Sequence, residues 1–140
     1  MRELDDITGA VIDASIGIHR ALGPGLLESV YVVALASALE RRGLEVARLR
    51  PIGFTYDGVR FEHAFRADLL VAESIIVEAK SIERLARVHP KQLLTYLRLT
   101  NLSVGLLLNF GAPTMKEGIK RVVNDLAPSA SPRLRVNHGR

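Results

Sequence analysis

Two short segments in the middle of the chain decide the fold: Phe65-Arg66-Ala67-Asp68-Leu69-Leu70-Val71 and Ser74-Ile75-Ile76-Val77-Glu78-Ala79-Lys80. Both are rich in β-branched and apolar residues, and the turn-like Ala72-Glu73-Ser74 separates them, so the pattern predicts a β-hairpin. Runs of apolar residues on both faces of each strand are typical of strands that are covered on both sides. The charged residues of the two segments therefore enter where a folded protein normally places apolar side chains.

The expected pairing of this hairpin brings two carboxylates together. If Val71 pairs with Ile75, the register places Asp68 opposite Glu78. Directly opposed residues have Cβ atoms roughly 4.5 to 5.5 Å apart, and two like charges there are destabilising unless something neutralises them. A divalent cation would do so. Lys80 lies two residues beyond Glu78, about 6 to 7 Å along the same strand face, within reach of a water molecule on such a cation.

A second interpretation of the hairpin stays open at this point. The two carboxylates could face solvent and be partners of Arg66 and Lys80, on the wet side of an antiparallel pair. Side chains alternate along a strand, so Ala67 is expected on the face of Leu69 and Val71, and Asp68 on the other face. The apolar runs around the charges favour a cleft at the end of covered strands.

The composition limits the kinds of site that the chain can contain. The sequence has 140 residues, enough for one domain with a single core, and we expect that domain over residues 1–126. Cysteine is absent, which excludes thiol catalysis, thiolate zinc sites and disulfides. The amino terminus resembles no signal peptide, and no apolar run approaches the roughly 18 residues of a membrane span. The expectation is a cytoplasmic protein without a membrane partner.

The positive charge of the chain is concentrated near its carboxyl terminus. The formal net charge is +4, but Arg133, Arg135 and Arg140 follow a Pro/Ser-rich stretch, and we expect residues 127–140 to form a flexible basic tail. Without these three arginines, 16 basic residues face 15 acidic ones. Affinity for nucleic acid would therefore need a local patch, such as the basic residues around the helix after the hairpin, or the tail itself.

Helices are expected before and after the run of strands in the sequence. Apolar residues at steps of three and four predict a helix over Asp5–Leu22, and a second helix is expected over Leu26–Arg42. A third helix should begin near His89-Pro90 and run to about Thr100, and a fourth should cover Pro113–Leu126. The apolar faces are expected to consist of Ile7, Val11, Ala14, Ile18 and Leu22 in the first helix, and of Leu27, Val30, Ala34, Ala38 and Leu39 in the second.

The remaining strands fit around the hairpin. They are expected over Glu45–Arg50, Ile52–Tyr56, Val59–His63 continuing into the hairpin, and Leu102–Phe110. Asp57-Gly58 is a strong hairpin signal between two of them.

Three polar residues on the helices join the candidate set. Glu28 lies near the start of the second helix, where the helix dipole favours a carboxylate, so a purely structural role is a fair alternative. Gln92 and Tyr96 are four apart and share a helix face, and alone they would be read as ordinary surface residues.

With these residues in place, the chain resembles the PD-(D/E)XK nuclease superfamily, and within it the small GxxExxY proteins. The naming motif stands as Gly25-Leu26-Leu27-Glu28-Ser29-Val30-Tyr31. The nuclease signature stands as Phe65-Arg66-Ala67-Asp68 followed by Val77-Glu78-Ala79-Lys80, and Gln92-Leu93-Leu94-Thr95-Tyr96 resembles the Q-x-x-x-Y element of RecB-type nucleases. The similarity runs from about Ile7 to Val123.

The resemblance implies an α/β, restriction-endonuclease-like three-layer fold, with a central mixed β-sheet flanked by helices. It also implies roles for the candidate residues. Asp68 and Glu78, with the Ala79 carbonyl, would hold Mg²⁺ or Mn²⁺. Lys80 would position or deprotonate the attacking water, and Glu28 would complete the acidic cluster. Gln92 and Tyr96 would support the metal ligands or touch the phosphate backbone, and His19 and Arg66 could face the cleft.

Two functions are carried forward from the sequence. The first is a Mg²⁺-dependent nuclease that hydrolyses phosphodiester bonds, with nucleic acid, most naturally DNA, as its partner. The alternative is a catalytically inactive, nuclease-like module that binds nucleic acid or a protein. A homodimer is plausible in either case, because a minimal nuclease core often needs a second copy to grip or cut both strands.

Overall fold

A computed structural model describes residues 3–125, in which two helices precede three strands and the remaining helices and strands follow, much as the sequence predicts. The helices are α1 (Leu4–Leu22), α2 (Glu28–Arg41), α3 (Val88–Thr100) and the short α4 (Met115–Gly118). The strands are β1 (Val46–Tyr56), β2 (Val59–Val71), β3 (Ile75–Lys80), β4 (Val104–Asn109) and β5 (Ile119–Val123). The basic tail expected over residues 127–140 lies outside the described residues.

The five strands form one mixed sheet in the order β1-β2-β3-β4-β5. β1, β2 and β3 pair antiparallel, β3 and β4 pair parallel, and β4 and β5 pair antiparallel. The parallel pair needs a crossover connection, and α3 supplies it. This is the α/β, restriction-endonuclease-like arrangement that the resemblance implies, with a mixed sheet flanked by helices.

Helices cover both faces of the sheet and so create two cores. On one face, α1 and α2 bury Val11, Leu35 and their neighbours against Val77 and Leu106. On the other face, Leu93 and Leu97 of α3 pack against Ile76 and other residues of the sheet. Because β3 and β4 are covered on both sides, they are apolar along nearly their whole length, as buried parallel strands are.

The predicted turns are confirmed. Asp57 and Gly58 both have positive φ, at 52° and 76°, the backbone that a two-residue hairpin of type I′ requires. The β2–β3 pairing contains Val71 opposite Ile75, as the sequence register predicts. β1 is a single strand rather than two, and it passes through Pro51, which an edge strand tolerates because its outer side needs no ladder hydrogen bonds.

The helix predicted over Pro113–Leu126 is wrong. In the described part of this range, residues 113–125, only Met115–Gly118 is helical. Ile119–Val123 forms β5, which pairs with β4 from Ile119 opposite Leu108 to Val123 opposite Val104. The spacing of the apolar residues fits a helix or a strand over such a short range. The unpaired edge of β4 decides between them, because buried backbone groups require partners.

The predicted apolar faces of the first two helices are only partly right. Leu22 at the end of α1 is 46% exposed, and Leu27 before α2 is 76% exposed. In α2 the buried side contains Tyr31 and Leu35 rather than Val30. This helix is apolar almost all round, so its sequence does not fix which side faces the core.

Side chains of β2 do not alternate regularly at the position of Asp68. Ala67 packs with Leu70 in the α3-side core, whereas Leu69 and Val71 belong to the opposite core, so the face predicted for Ala67 is wrong. β1 is irregular directly across from this point, because Leu49 has a φ of 54°, in the left-handed region that a leucine rarely adopts. The distortion lies between the regular β2–β3 pairing, which begins at Leu69, and the residues around Asp68.

Within residues 3–125, no helix is both long and apolar enough to span a membrane.

Candidate functional site

The β2–β3 ladder stops where the two carboxylates begin. Its last pair is Leu69 opposite Val77. Beyond it, the backbone N–H of Asp68 donates to Oε2 of Glu78 at 3.1 Å, and the N–H of Ala79 donates to Oδ2 of Asp68 at 2.9 Å. Each carboxylate thus crosses to the neighbouring strand and takes the place of a ladder hydrogen bond. These two bonds hold the acids side by side.

One oxygen of each carboxylate is left for another ligand. Among the described residues, Oδ1 of Asp68 and Oε1 of Glu78 have no hydrogen-bond partner. Neither oxygen is fully buried. They are therefore in contact with solvent, although Glu78 as a whole is only 7% exposed.

Burial makes the ionisation of this pair unusual. Burial raises the pKa of Glu78 to about 8, and the negative charge of Asp68 adds to the effect. Burial also raises the pKa of Asp68, while its hydrogen bond from Ala79 and the charge of Lys80 act in the opposite direction. Two adjacent acids titrate as a pair, so the pair keeps a proton to a higher pH than two ordinary carboxylates would.

Lys80 and Tyr96 lie around the pair. The half-buried Lys80 lowers the pKa of both carboxylates through its positive charge, without an ion pair shorter than 4.0 Å to either. Tyr96 comes from α3, and its ring stacks on Phe65 with centroids 3.8 Å apart and planes 4° from parallel. Burial raises the pKa of the Tyr96 hydroxyl, and the charges of the two acids raise it further. The tyrosine therefore keeps its proton beside them.

Glu28 reaches the site through the motif that contains it. Tyr31 is fully buried and stacks on Phe110, with ring centroids 4.4 Å apart. Its hydroxyl donates to the carbonyl of Gly23 at 2.6 Å and accepts from the N–H of Leu26 at 3.2 Å. The tyrosine thereby fixes the loop before α2, and Glu28 follows this loop as the first residue of the helix.

A clasp joins this loop to the strand that carries Lys80. Oε2 of Glu28 accepts from the N–H of Ser81 at 3.2 Å, and Oγ of Ser81 donates to the carbonyl of Leu26 at 2.6 Å. The charge of Glu28 also raises the pKa of Asp68 and Glu78, so all three acids share one electrostatic environment. A cleft of about 540 Å³ lies beside the clasp, lined by Gly25, Leu26, Leu27, Glu28, Ser29 and Ser81.

The remaining candidate residues lie at or beyond the edge of this group. Arg66 is exposed, and its charge lowers the pKa of Asp68. Gln92 is exposed one turn before Tyr96 on α3. His19 is buried, and its Nε2 lies 2.9 Å from the carbonyl oxygen of Ala112, so it ties α1 to the segment after β4. The geometry thus brings together Glu28, Asp68, Glu78, Lys80 and Tyr96, with Arg66 nearby.

Sequence reasoning missed two residues that shape the site. One is Ser81, described above, and the other is Asn109, the last residue of β4, which is 2% exposed. Oδ1 of Asn109 accepts from the N–H groups of Ile82 and Gly111, at 3.1 and 3.0 Å. The signal in the sequence was a polar residue ending an apolar run, the same signal that singled out Glu78 in β3.

The donor atoms of the site suit a hard divalent cation. Two adjacent carboxylates, each with one oxygen open to solvent, are ligands of the kind that Mg²⁺ and Mn²⁺ prefer, with waters completing the shell. Within residues 3–125, no group of three or more His, Cys, Asp or Glu side chains is arranged to hold a metal ion. A cation here would therefore rest on Asp68 and Glu78 as its carboxylate ligands, with Glu28 in an outer position bonded to Ser81.

Comparison with known proteins agrees with this geometry. No curated protein and no solved structure matches the chain. A family profile described as the PD-(D/E)XK nuclease superfamily matches residues 5–122, which is most of the chain and includes every candidate residue from Glu28 to Tyr96. On this match, the chain belongs to the PD-(D/E)XK nuclease superfamily.

Proposed function

We propose that this protein is a metal-dependent nuclease that hydrolyses phosphodiester bonds in DNA, with Asp68 and Glu78 as the ligands of Mg²⁺ or Mn²⁺. The observation that carries the proposal is the pairing of these two acids at the end of the β2–β3 ladder, each with one oxygen open to solvent. When bound, the cation would lower the pKa of a water molecule and offset negative charge on the phosphate.

The other residues of the site have roles that follow from their positions. Lys80 is close enough to influence both carboxylates, and as a cation it orients the attacking water and attracts the phosphate. The Tyr96 hydroxyl keeps its proton and is a hydrogen-bond donor to a phosphate oxygen or to a metal ligand. Glu28 holds the Lys80 strand end through Ser81 and adds negative charge that favours a bound cation.

The proposal is tested by incubating the purified protein with single- and double-stranded DNA and RNA. Each substrate is combined with Mg²⁺, with Mn²⁺ or with a chelator, and the products are separated by size. We expect cleavage that requires a metal and is lost in Asp68→Ala and in Asp68→Asn. Asn is the more informative change, because it removes the charge while keeping an oxygen to accept the Ala79 N–H.

The control variant is Glu73→Gln, which removes an exposed acid from the β2–β3 turn, where it makes a surface ion pair with Arg50. This variant should cut as the wild type does. Cleavage that survives both Asp68 changes would come from a contaminating nuclease and would remove support for the proposal. Binding of nucleic acid without cleavage under every condition would identify the alternative, a nuclease-like binding module.

A further inference from the structure

The basic charge of the folded part is collected in one stretch of the chain. Residues 3–125 contain 15 basic and 15 acidic side chains. The other four of the 19 lysines and arginines in the sequence are Arg2 and three arginines near the carboxyl terminus. Residues 80–98 alone contain five of these basic side chains and one acidic side chain. This short stretch therefore has a charge of +4, and the remainder of the described chain has a charge of −4.

Four of the five cations form what we call the basic strip: Arg84, Arg87, Lys91 and Arg98. All four are exposed. Ion pairs within the described range involve Arg42, Arg50, Arg60 and Arg121 instead, so no strip cation has a carboxylate within 4.0 Å there. Unpaired like charges repel one another and weaken the fold, and a polyanion would relieve this repulsion.

The strip begins at the candidate active site. The chain runs from Lys80 through the Ser81 clasp directly into the segment that contains Arg84 and Arg87. It then enters α3, which carries Lys91 and Arg98 at exposed positions on the same helix as Gln92 and Tyr96. Lys91 and Arg98 are seven residues apart, about 10.5 Å along a helix. That length corresponds to about three nucleotides of a strand at 3.4 Å each.

The segment before α3 is held in place rather than free to adapt. The N–H of Ile82 donates to Asn109, and Leu85 packs against the α3-side core. Nδ1 of His89 accepts from the N–H of Ala86 at 3.0 Å, and the N–H of His89 donates to the carbonyl of Ala86 at 3.1 Å. A surface that is already ordered loses little conformational entropy when a ligand binds.

From these observations we infer that the basic strip binds the phosphate backbone of the nucleic acid on one side of the phosphate held at Asp68 and Glu78. The inference rests on the proposed function for the position of that phosphate. It assigns affinity to the strip and chemistry to the acids, so the two can fail separately. Because the contacts are to phosphates, the strip contributes affinity without sequence preference.

The test measures binding without any cleavage. The full chain is titrated into a labelled DNA duplex of about 20 base pairs in a chelator, and the dissociation constant is followed by fluorescence anisotropy between 50 and 200 mM salt. Each phosphate contact contributes about 0.9 to the slope of log affinity against log salt for a duplex. The double variant Arg87→Gln/Lys91→Gln should therefore lose about 2 from the slope and bind more weakly at low salt.

The matched control is Arg41→Gln/Lys116→Gln, which removes the same charge from exposed positions on α2 and α4, across the sheet from α3. It should keep the wild-type slope. The strip variant should keep its thermal midpoint or raise it slightly, because its cations make no ion pairs and repel one another. Hydrolysis of a small chromogenic phosphodiester by the metal-loaded strip variant should equal that of the wild type, since no further phosphates are present.

Equal slopes for the strip variant and the wild type would overturn the inference, even if Asp68→Asn still abolishes cleavage. Equal losses in the strip and control variants would also overturn it, because they would show a nonspecific effect of net charge. A strip variant with a reduced slope would support it even where no condition yields cleavage, in which case only the nuclease proposal fails. Repeating the titration with duplex RNA and with single-stranded DNA identifies which backbone the strip prefers.

Discussion

The metal-free protein should become less stable as pH rises toward 8, because the stabilising contribution of the proton on Glu78 is then lost. The perturbation is Glu78→Gln, which keeps a neutral side chain of nearly the same shape. The amide oxygen of glutamine can still accept the N–H of Asp68, as Oε2 of the glutamate does at 3.1 Å. The variant therefore removes the ionisation and leaves the packing and the hydrogen bond in place.

The direction follows from the two pKa values of the group. Glu78 has an ordinary pKa of 4.5, and burial raises it to about 8 in the folded protein. Between these two values the folded state keeps a proton that the unfolded state has lost, so stability falls as pH rises. The stabilising contribution of the proton is complete below pH 4.5 and is lost as pH passes through about 8.

The size of the effect follows from the same values. One proton changes the free energy of unfolding by at most about 1.4 kcal/mol per pH unit, which gives about 5 kcal/mol over the whole window. Small domains have total stabilities of about 5 to 15 kcal/mol, so the loss should be plain in a denaturation experiment. Glu78→Gln should match the wild type near pH 5 and exceed its stability by several kcal/mol near pH 8.

The assay is urea denaturation in a chelator at pH 5, 6, 7 and 8, followed by circular dichroism, for the wild type, Glu78→Gln and the turn variant Glu73→Gln. Titrating groups that do not interact with the substituted residue cancel in the difference between each variant and the wild type. Glu73→Gln should give a difference that does not change with pH, because that side chain is exposed. A wild type and Glu78→Gln that lose stability in parallel would refute the reasoning.

Three further outcomes follow from the described contacts. Mg²⁺ binding to the wild type at pH 7 should release up to about one proton, because Glu78 must ionise to act as a ligand. Calorimetry in buffers of different ionisation enthalpy measures the release, and the absence of any release would contradict the raised pKa of Glu78. Tyr31→Phe should lower the free energy of unfolding by about 1 to 2 kcal/mol, since its hydroxyl makes two hydrogen bonds, and an unchanged urea midpoint would contradict this role. Gly9→Ala, in open space within α1, should raise the free energy of unfolding by about 0.5 to 1 kcal/mol. Gly111→Ala should lower it by about 1 to 3 kcal/mol, because the new methyl group would overlap the carbonyl of Ile82. Thermal denaturation should therefore show a higher midpoint for the first variant and a lower midpoint for the second.

Much of the sheet could be predicted from the sequence because its strongest signals are local. Asp57-Gly58 marks the first hairpin, and the register of β2 with β3 follows from a short turn and from strands that are apolar on both faces. The meeting of Asp68 and Glu78 follows from that register. Their hydrogen bonds to the backbone do not, because they depend on the ladder ending at Leu69, and no residue in the sequence marks that end.

The errors concern segments whose structure depends on distant partners. Residues 119–123 become a strand because β4 offers an edge to pair with, although their apolar spacing also fits a helix. The orientation of α2 is set by Tyr31, whose ring stacks on Phe110, a residue 79 positions later in the chain. The role of Asn109 as a hydrogen-bond acceptor likewise cannot be predicted from the sequence, because it depends on the fold placing Asn109 beside the N–H of Ile82. In each case the deciding contact is far away in the sequence.

The two bonds that join the acids to the backbone also have an evolutionary consequence. Oδ2 of Asp68 and Oε2 of Glu78 hold the strands together, and the other two oxygens are open to solvent. A lineage that no longer needed the chemistry could not simply discard these side chains, because a small apolar replacement would leave buried N–H groups without acceptors. The accessible route to an inactive descendant is through asparagine and glutamine, which preserve the seam of the sheet while abolishing its charge.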